Sequence, residues 1–178
     1  MATAAGIFFV RASRLAAPLP PAIDAPALSG IGGWLILVAI HQSVRPFAFL
    51  WGVLVLYPTV FNLETWRRLT EVGGGAYHPF WAPVLLFELF YNSLAFIFSV
   101  FLLALFFKRR AAWPLAYAIF LVFLVAGVGL DVYLTQKIPA AAAGAGKASV
   151  EVIRVAILAA VWIPYCFVSK RVKSTFRH

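Results

Sequence analysis

The sequence predicts an all-α membrane protein, a bundle of four transmembrane helices, on three observations. Of 178 residues, 63% are hydrophobic and only 12% are charged, whereas soluble domains carry about 45–50% and about 25%. The apolar residues gather into four blocks, each near or above the roughly 20 residues that cross about 30 Å of hydrocarbon. Most Lys and Arg residues flank those blocks. A net charge of +9 would suggest nucleic acid in a soluble chain. Here it reads as a set of topology determinants, and no nucleic-acid partner is expected.

Taken in order, residues 1–29 are Ala- and Pro-rich and contain Arg11 and Arg14. A secretory signal places its positive charge before a 7–15-residue apolar stretch, and here the arginines follow the short apolar run, so a flexible cytoplasmic tail is expected. The first block, 30–61, is longer than one perpendicular crossing needs. Arg45 and Pro46 stand at its middle, and an interior proline removes a backbone hydrogen bond and bends the axis. The reading adopted is one long, kinked or tilted span; the other is a span ending near Ser43 followed by an in-plane segment. The second block, 80–107, opens at Pro79 and Pro83 and closes at Lys108. The third, 112–134, starts with Trp113 and Pro114. The fourth, 149–168, follows an Ala/Gly loop and leads into a basic tail, 169–178.

Lys and Arg residues are unevenly divided between the two ends. The N-terminal tail, the 108–110 loop and the C-terminal tail hold nine, against four in the other two loops (Arg67, Arg68, Lys137, Lys147). Positive loops stay inside, which puts both termini in the cytoplasm. Lys108, Arg109, Arg110, Lys170, Arg171, Lys173 and Arg177 are then expected at anionic lipid headgroups, at about 1 kcal/mol per charge near that surface.

Four charges fall inside the blocks: Arg45, Glu88, Asp131 and Arg154. Each costs at least ~2.5–3.5 kcal/mol at mid-depth, so such residues are usually paired or functional. With the orientation above, all four lie in the outer half of the membrane, and their charges sum to zero. One arrangement is a pair of interior salt bridges, Arg154 with Asp131 and Arg45 with Glu88. The other is a polar pocket for an ion, a headgroup or a proton. Tyr91 and Asn92 follow Glu88 at i+3 and i+4 and share its helix face, so they join the candidate cluster. His41 stands one turn before Arg45 and is expected to pack through a hydrogen bond. Gly127 precedes Asp131 where small residues let helices approach in lipid.

No spacing resembles a zinc, iron or haem site. The Gly73-Gly74-Gly75 run lacks the context of a phosphate-binding loop, and no catalytic triad is visible. The single cysteine, Cys166, excludes an internal disulfide. No cofactor, metal or enzymatic activity is therefore expected.

One stretch carries a family likeness. Residues 162–176 read W-I-P-Y-x-x-x-S-x-R-V-x-x-T-F, and residues 30–40 open the first block as G-I-G-G-W-L-I-L-V-A-I. Together they resemble the ends of the bacterial domain-of-unknown-function family numbered 2569, small four-span inner-membrane proteins, over about residues 30–178. The resemblance implies a multi-pass membrane protein and transfers no catalytic residue. The functional expectation is a non-enzymatic accessory, assembly or scaffold subunit acting through helix and lipid contacts, with a membrane-protein partner or self-association. A small transporter or ion pathway using the polar cluster is the alternative.

Overall fold

The computed structural model describes residues 30–142 and 145–177. The expected tail at 1–29 lies outside the described residues. The described chain is helical without strands: α1 (Trp34–Val60), α2 (Leu63–Thr70), α3 (Trp81–Phe107), α4 (Trp113–Thr135), α5 (Pro139–Ala142), α6 (Ala145–Val168) and α7 (Lys170–Thr175). Four stretches, Trp34–Val60, Trp81–Phe107, Trp113–Thr135 and Ala148–Val168, are long and apolar enough to cross a membrane.

The first block settles as one helix. Its 27 residues run through Pro46 and Pro58, about 40 Å at 1.5 Å per residue, so no in-plane break follows Ser43. Three short helices, α2, α5 and α7, were not anticipated. In α2, Asn62 accepts a hydrogen bond from the Thr65 amide at 2.7 Å, while Glu64 occupies the first turn and Arg67 and Arg68 the last. That is a capped helix with charges matched to its dipole. Between the third and fourth spans, where an Ala/Gly loop was expected, α5 forms and α6 begins at Ala145. Alanine's high helix propensity accounts for both, with Pro139 in the first position where its missing N–H costs nothing.

Adjacent spans pack in a row. α1 lies on α3, α3 on α4, and α4 most extensively on α6. The core runs through all four, with Leu35, Leu102, Phe120 and Val155 among its buried members. Outward faces keep large apolar residues such as Phe47, Trp51, Phe90 and Ile157 exposed, as lipid-facing positions would be.

The C-terminal tail is not a free basic segment. Ser169 caps α7 by accepting from the Val172 amide at 3.4 Å, and α7 folds back on the start of the first span. The Gly30 amide donates to Thr175 Oγ1 at 3.0 Å, and that hydroxyl donates to the Gly30 carbonyl at 3.2 Å. Phe176 stacks on Trp113 at 4.4 Å and lies 5.5 Å from Phe106. The Arg171 guanidinium occupies the space a Cβ on Gly32 would need. Gly33, at φ 55, adopts the left-handed backbone that favours glycine. The glycines at the head of the first span therefore accommodate the tail. Both stretches that carry the family likeness meet in this clasp.

A polar cleft as the candidate functional site

α1 and α6 barely touch, so the row of spans does not close into a ring. Between them lies a cavity of about 300 Å³, whose floor comes from α3 and α4. α1 contributes His41, Val44, Arg45 and Ala48, and α6 contributes Glu151, Arg154, Val155 and Leu158. A second cavity of about 290 Å³ adjoins it and shares Tyr91, Asn92, Val128 and Glu151. Glu88 and Asp131 line this second part. Both stand toward the end of the bundle that carries α2 and α5, and Arg45 sits deeper, near the middle of α1.

The structure thus gathers the six expected polar residues around one continuous cleft, but pairs them differently from either expected salt bridge. Arg154 meets Glu151, one turn earlier on its own helix, at 3.1 Å, rather than Asp131. Glu151 was missed in the sequence, although its i,i+3 spacing to Arg154 was available as a signal. Arg45 does not meet Glu88. Its Nε and Nη2 both lie 3.2 Å from His41 Nε2, and its guanidinium lies 5.8 Å from the centre of the Phe120 ring. Among the described residues no carboxylate forms an ion pair with it.

Glu88 and Asp131 instead line the same second cavity, one from α3 and the other from α4. Asp131 Oδ1 is buried without a donor among the described residues. Tyr91 and Asn92 do not hold the Glu88 carboxyl. Asn92 Nδ2 donates to the Glu88 backbone carbonyl at 2.8 Å, as does the Tyr57 hydroxyl at 2.9 Å. Tyr91 reaches across to the Leu124 carbonyl at 3.1 Å. Its ring fills the space beside Gly127, where a Cβ would collide with it. Tyr91 is therefore fixed as a wall shared by both cavities.

A separate polar contact ties α1 to α3. Gln42 is fully buried, and its Nε2 donates to the Ser99 carbonyl at 3.2 Å. Cys166 is a buried free thiol. Among the described residues no three His, Cys, Asp or Glu side chains gather as a metal ion would need.

The basic residues also sort by position. Lys108, Arg109, Arg110, Lys170, Lys173 and Arg177 are exposed at the end of the bundle where α7 docks, whereas Arg171 is half-buried on Gly32 and Gly33. Among the described residues this end holds no Asp or Glu, and the opposite end carries Glu64 and Glu71 beside its basic residues.

Fold and site together define a protein with four helices of membrane-spanning length and a polar cleft open between the first and the last. The chain belongs to the family described as protein of unknown function DUF2569, whose model matches residues 28–177. Comparison with curated proteins and with solved structures gives no match.

Proposed function

We propose that the protein is a non-enzymatic component of the inner (plasma) membrane, with both termini cytoplasmic, whose working surface is the cleft between α1 and α6. In this reading it acts as an accessory or assembly subunit and takes up a guest from the bilayer, either a lipid or a helix of a partner protein. The incomplete contact between α1 and α6 carries the proposal. A four-span bundle that only needed to be stable would close that side, because helices in lipid gain from every packed contact. Instead the side stays open over a cavity lined by Arg45, Tyr91 and Asn92. The excess of exposed Lys and Arg at the clasp end supports the cytoplasmic placement.

The test is native mass spectrometry and affinity capture of the full chain from nanodiscs, comparing wild type with Ala48→Trp, which fills the cleft from α1. A stoichiometric lipid or membrane protein retained by wild type and lost from the variant supports the reading. The same guest on both proteins overturns it.

A second reading, a proton-linked transport path, is favoured by one observation, the presence of both Glu88 and Asp131 in the lining of one cavity. Glu88→Gln then changes a proton-coupled flux in liposomes while the fold survives. An unchanged flux removes that reading.

A further inference from the structure

We infer that the guest of the cleft is a phosphate-bearing amphiphile, held with its oxyanion against Arg45 and its chains leaving between α1 and α6. The inference rests on the cleft being a guest site, as proposed above, and adds the chemistry of the guest.

Arg45 is the first reason. A guanidinium carries five donors in a planar fork suited to phosphate and carboxylate. Here two of its nitrogens share one acceptor, His41 Nε2, and no carboxylate forms an ion pair with it among the described residues. A cation near the middle of a span without a counter-charge is costly, and an oxyanion in the adjoining cavity would neutralise it.

His41 is the second. Because Nε2 accepts from Arg45, the ring proton resides on Nδ1. That N–H is buried and has no acceptor among the described residues, yet His41 lines the same cavity. The cleft thus contains a cation and a neutral donor, both short of acceptors, on adjacent turns of one helix.

The layout of charge decides between a lipid and a free anion. Glu88 and Asp131 stand toward the end of the bundle that carries α2 and α5, and Glu151 lies between them and the deeper part. A small anion arriving from water at that end meets acidic groups first. An amphiphile sliding in from the bilayer between α1 and α6 meets Val44, Ala48 and Leu158, with Arg45 behind them. The cavity volume of about 300 Å³ sits at the lower bound of the about 300–1,000 Å³ usual for small-molecule sites. That volume suits a headgroup whose chains remain outside.

The experiment measures ligand retention by delipidated full-length protein, using native mass spectrometry. Four probes are compared: dioleoyl phosphatidylglycerol, dioleoyl phosphatidylethanolamine, dioleoylglycerol and inorganic phosphate. Either phospholipid is expected to bind in a one-to-one complex, and dioleoylglycerol and inorganic phosphate at least tenfold more weakly. Arg45→Gln should weaken phospholipid binding about 10- to 100-fold, the range for losing a charge-assisted hydrogen bond, and Arg45→Lys should restore part of it. Arg45→Gln should not lower thermal stability in lipid-free detergent, since it removes an unneutralised charge. A purely structural arginine would do the reverse.

Dioleoylglycerol binding as tightly as the phospholipids, or unchanged binding in Arg45→Gln, overturns the oxyanion assignment. Inorganic phosphate binding as tightly as phospholipid overturns the amphiphile. Ala48→Trp separates the two levels of the argument. Binding lost in Ala48→Trp but kept in Arg45→Gln leaves the cleft as a guest site and refutes the oxyanion, whereas binding kept in both refutes both.

Discussion

Replacing Gly127 with alanine is the sharpest test of how the cleft wall is built. Gly127 is buried on α4, and a Cβ there would fall within the Tyr91 ring. The ring would have to swing away. It would give up its 3.1 Å hydrogen bond to the Leu124 carbonyl and its contacts with Phe123 at 5.0 Å and Phe87 at 5.7 Å between centroids. Overpacking of this kind costs about 1–3 kcal/mol, and an interhelical hydrogen bond in a membrane protein adds about 0.6. The better helix propensity of alanine returns at most about 1. The expected net loss is about 1–3 kcal/mol, measured by reversible unfolding in mixed micelles and followed by tryptophan fluorescence. The same substitution in a Tyr91→Ala background should cost almost nothing, because the ring it strikes is gone. The double-mutant cycle should therefore show a coupling of about 1–3 kcal/mol. Additivity within about 0.5 kcal/mol, the behaviour of independent sites, would refute the collision.

Thr175→Val removes both hydrogen bonds between the tail and Gly30. It should cost about 1–2 kcal/mol and speed amide exchange at Gly30, while Thr175→Ser keeps protection close to wild type. Gln42→Met deletes the bond to Ser99 together with a buried Oε1 that lacks a donor. Unfolding measurements should find it neutral to stabilising, since an apolar side chain of similar shape leaves only the Ser99 carbonyl without its extra donor. In a Cys166→Ala background, single cysteines at Lys108 and Lys173 should react with an impermeant thiol reagent only from the cytoplasmic side. A cysteine at Val72 should react only from the other side. Labelling of Val72 and Lys173 from the same side would exclude the four-span arrangement.

The spans were legible because hydrocarbon imposes one requirement, length of apolar run, and little else. The first block shows the limit of that signal. Arg45 and Pro46 left two readings open, and only the folded helix, packed on α3, shows that it continues through them. The polar residues were legible as a set, since each is anomalous in an apolar block. Their pairing was not, because it depends on which helix faces are neighbours. Arg154 found Glu151 on its own helix, a local choice that a search for partners on other spans passes over. Arg45 found His41, which the one-turn spacing had placed on the same face. The C-terminal tail was legible as basic but not as docked. Charge pattern speaks to the headgroup region, whereas the docking is carried by Thr175, Phe176 and Val172, three uncharged residues in a short basic stretch. The caps at Asn62 and Ser169 are local signals, visible in principle once a helix is sought there.

The clasp also sets an order of assembly. Gly30 and Thr175 are separated by 145 positions, and the chain is made at about 5–20 residues per second. The head of the first span therefore waits several seconds for the partner that satisfies its backbone, while the three later spans are produced and inserted. Any chain cut short before Thr175 keeps those groups unpaired and the surface around Trp113 uncovered. Docking of the tail is in this way a late step of folding, which covers the head of the first span only after the fourth span has been made.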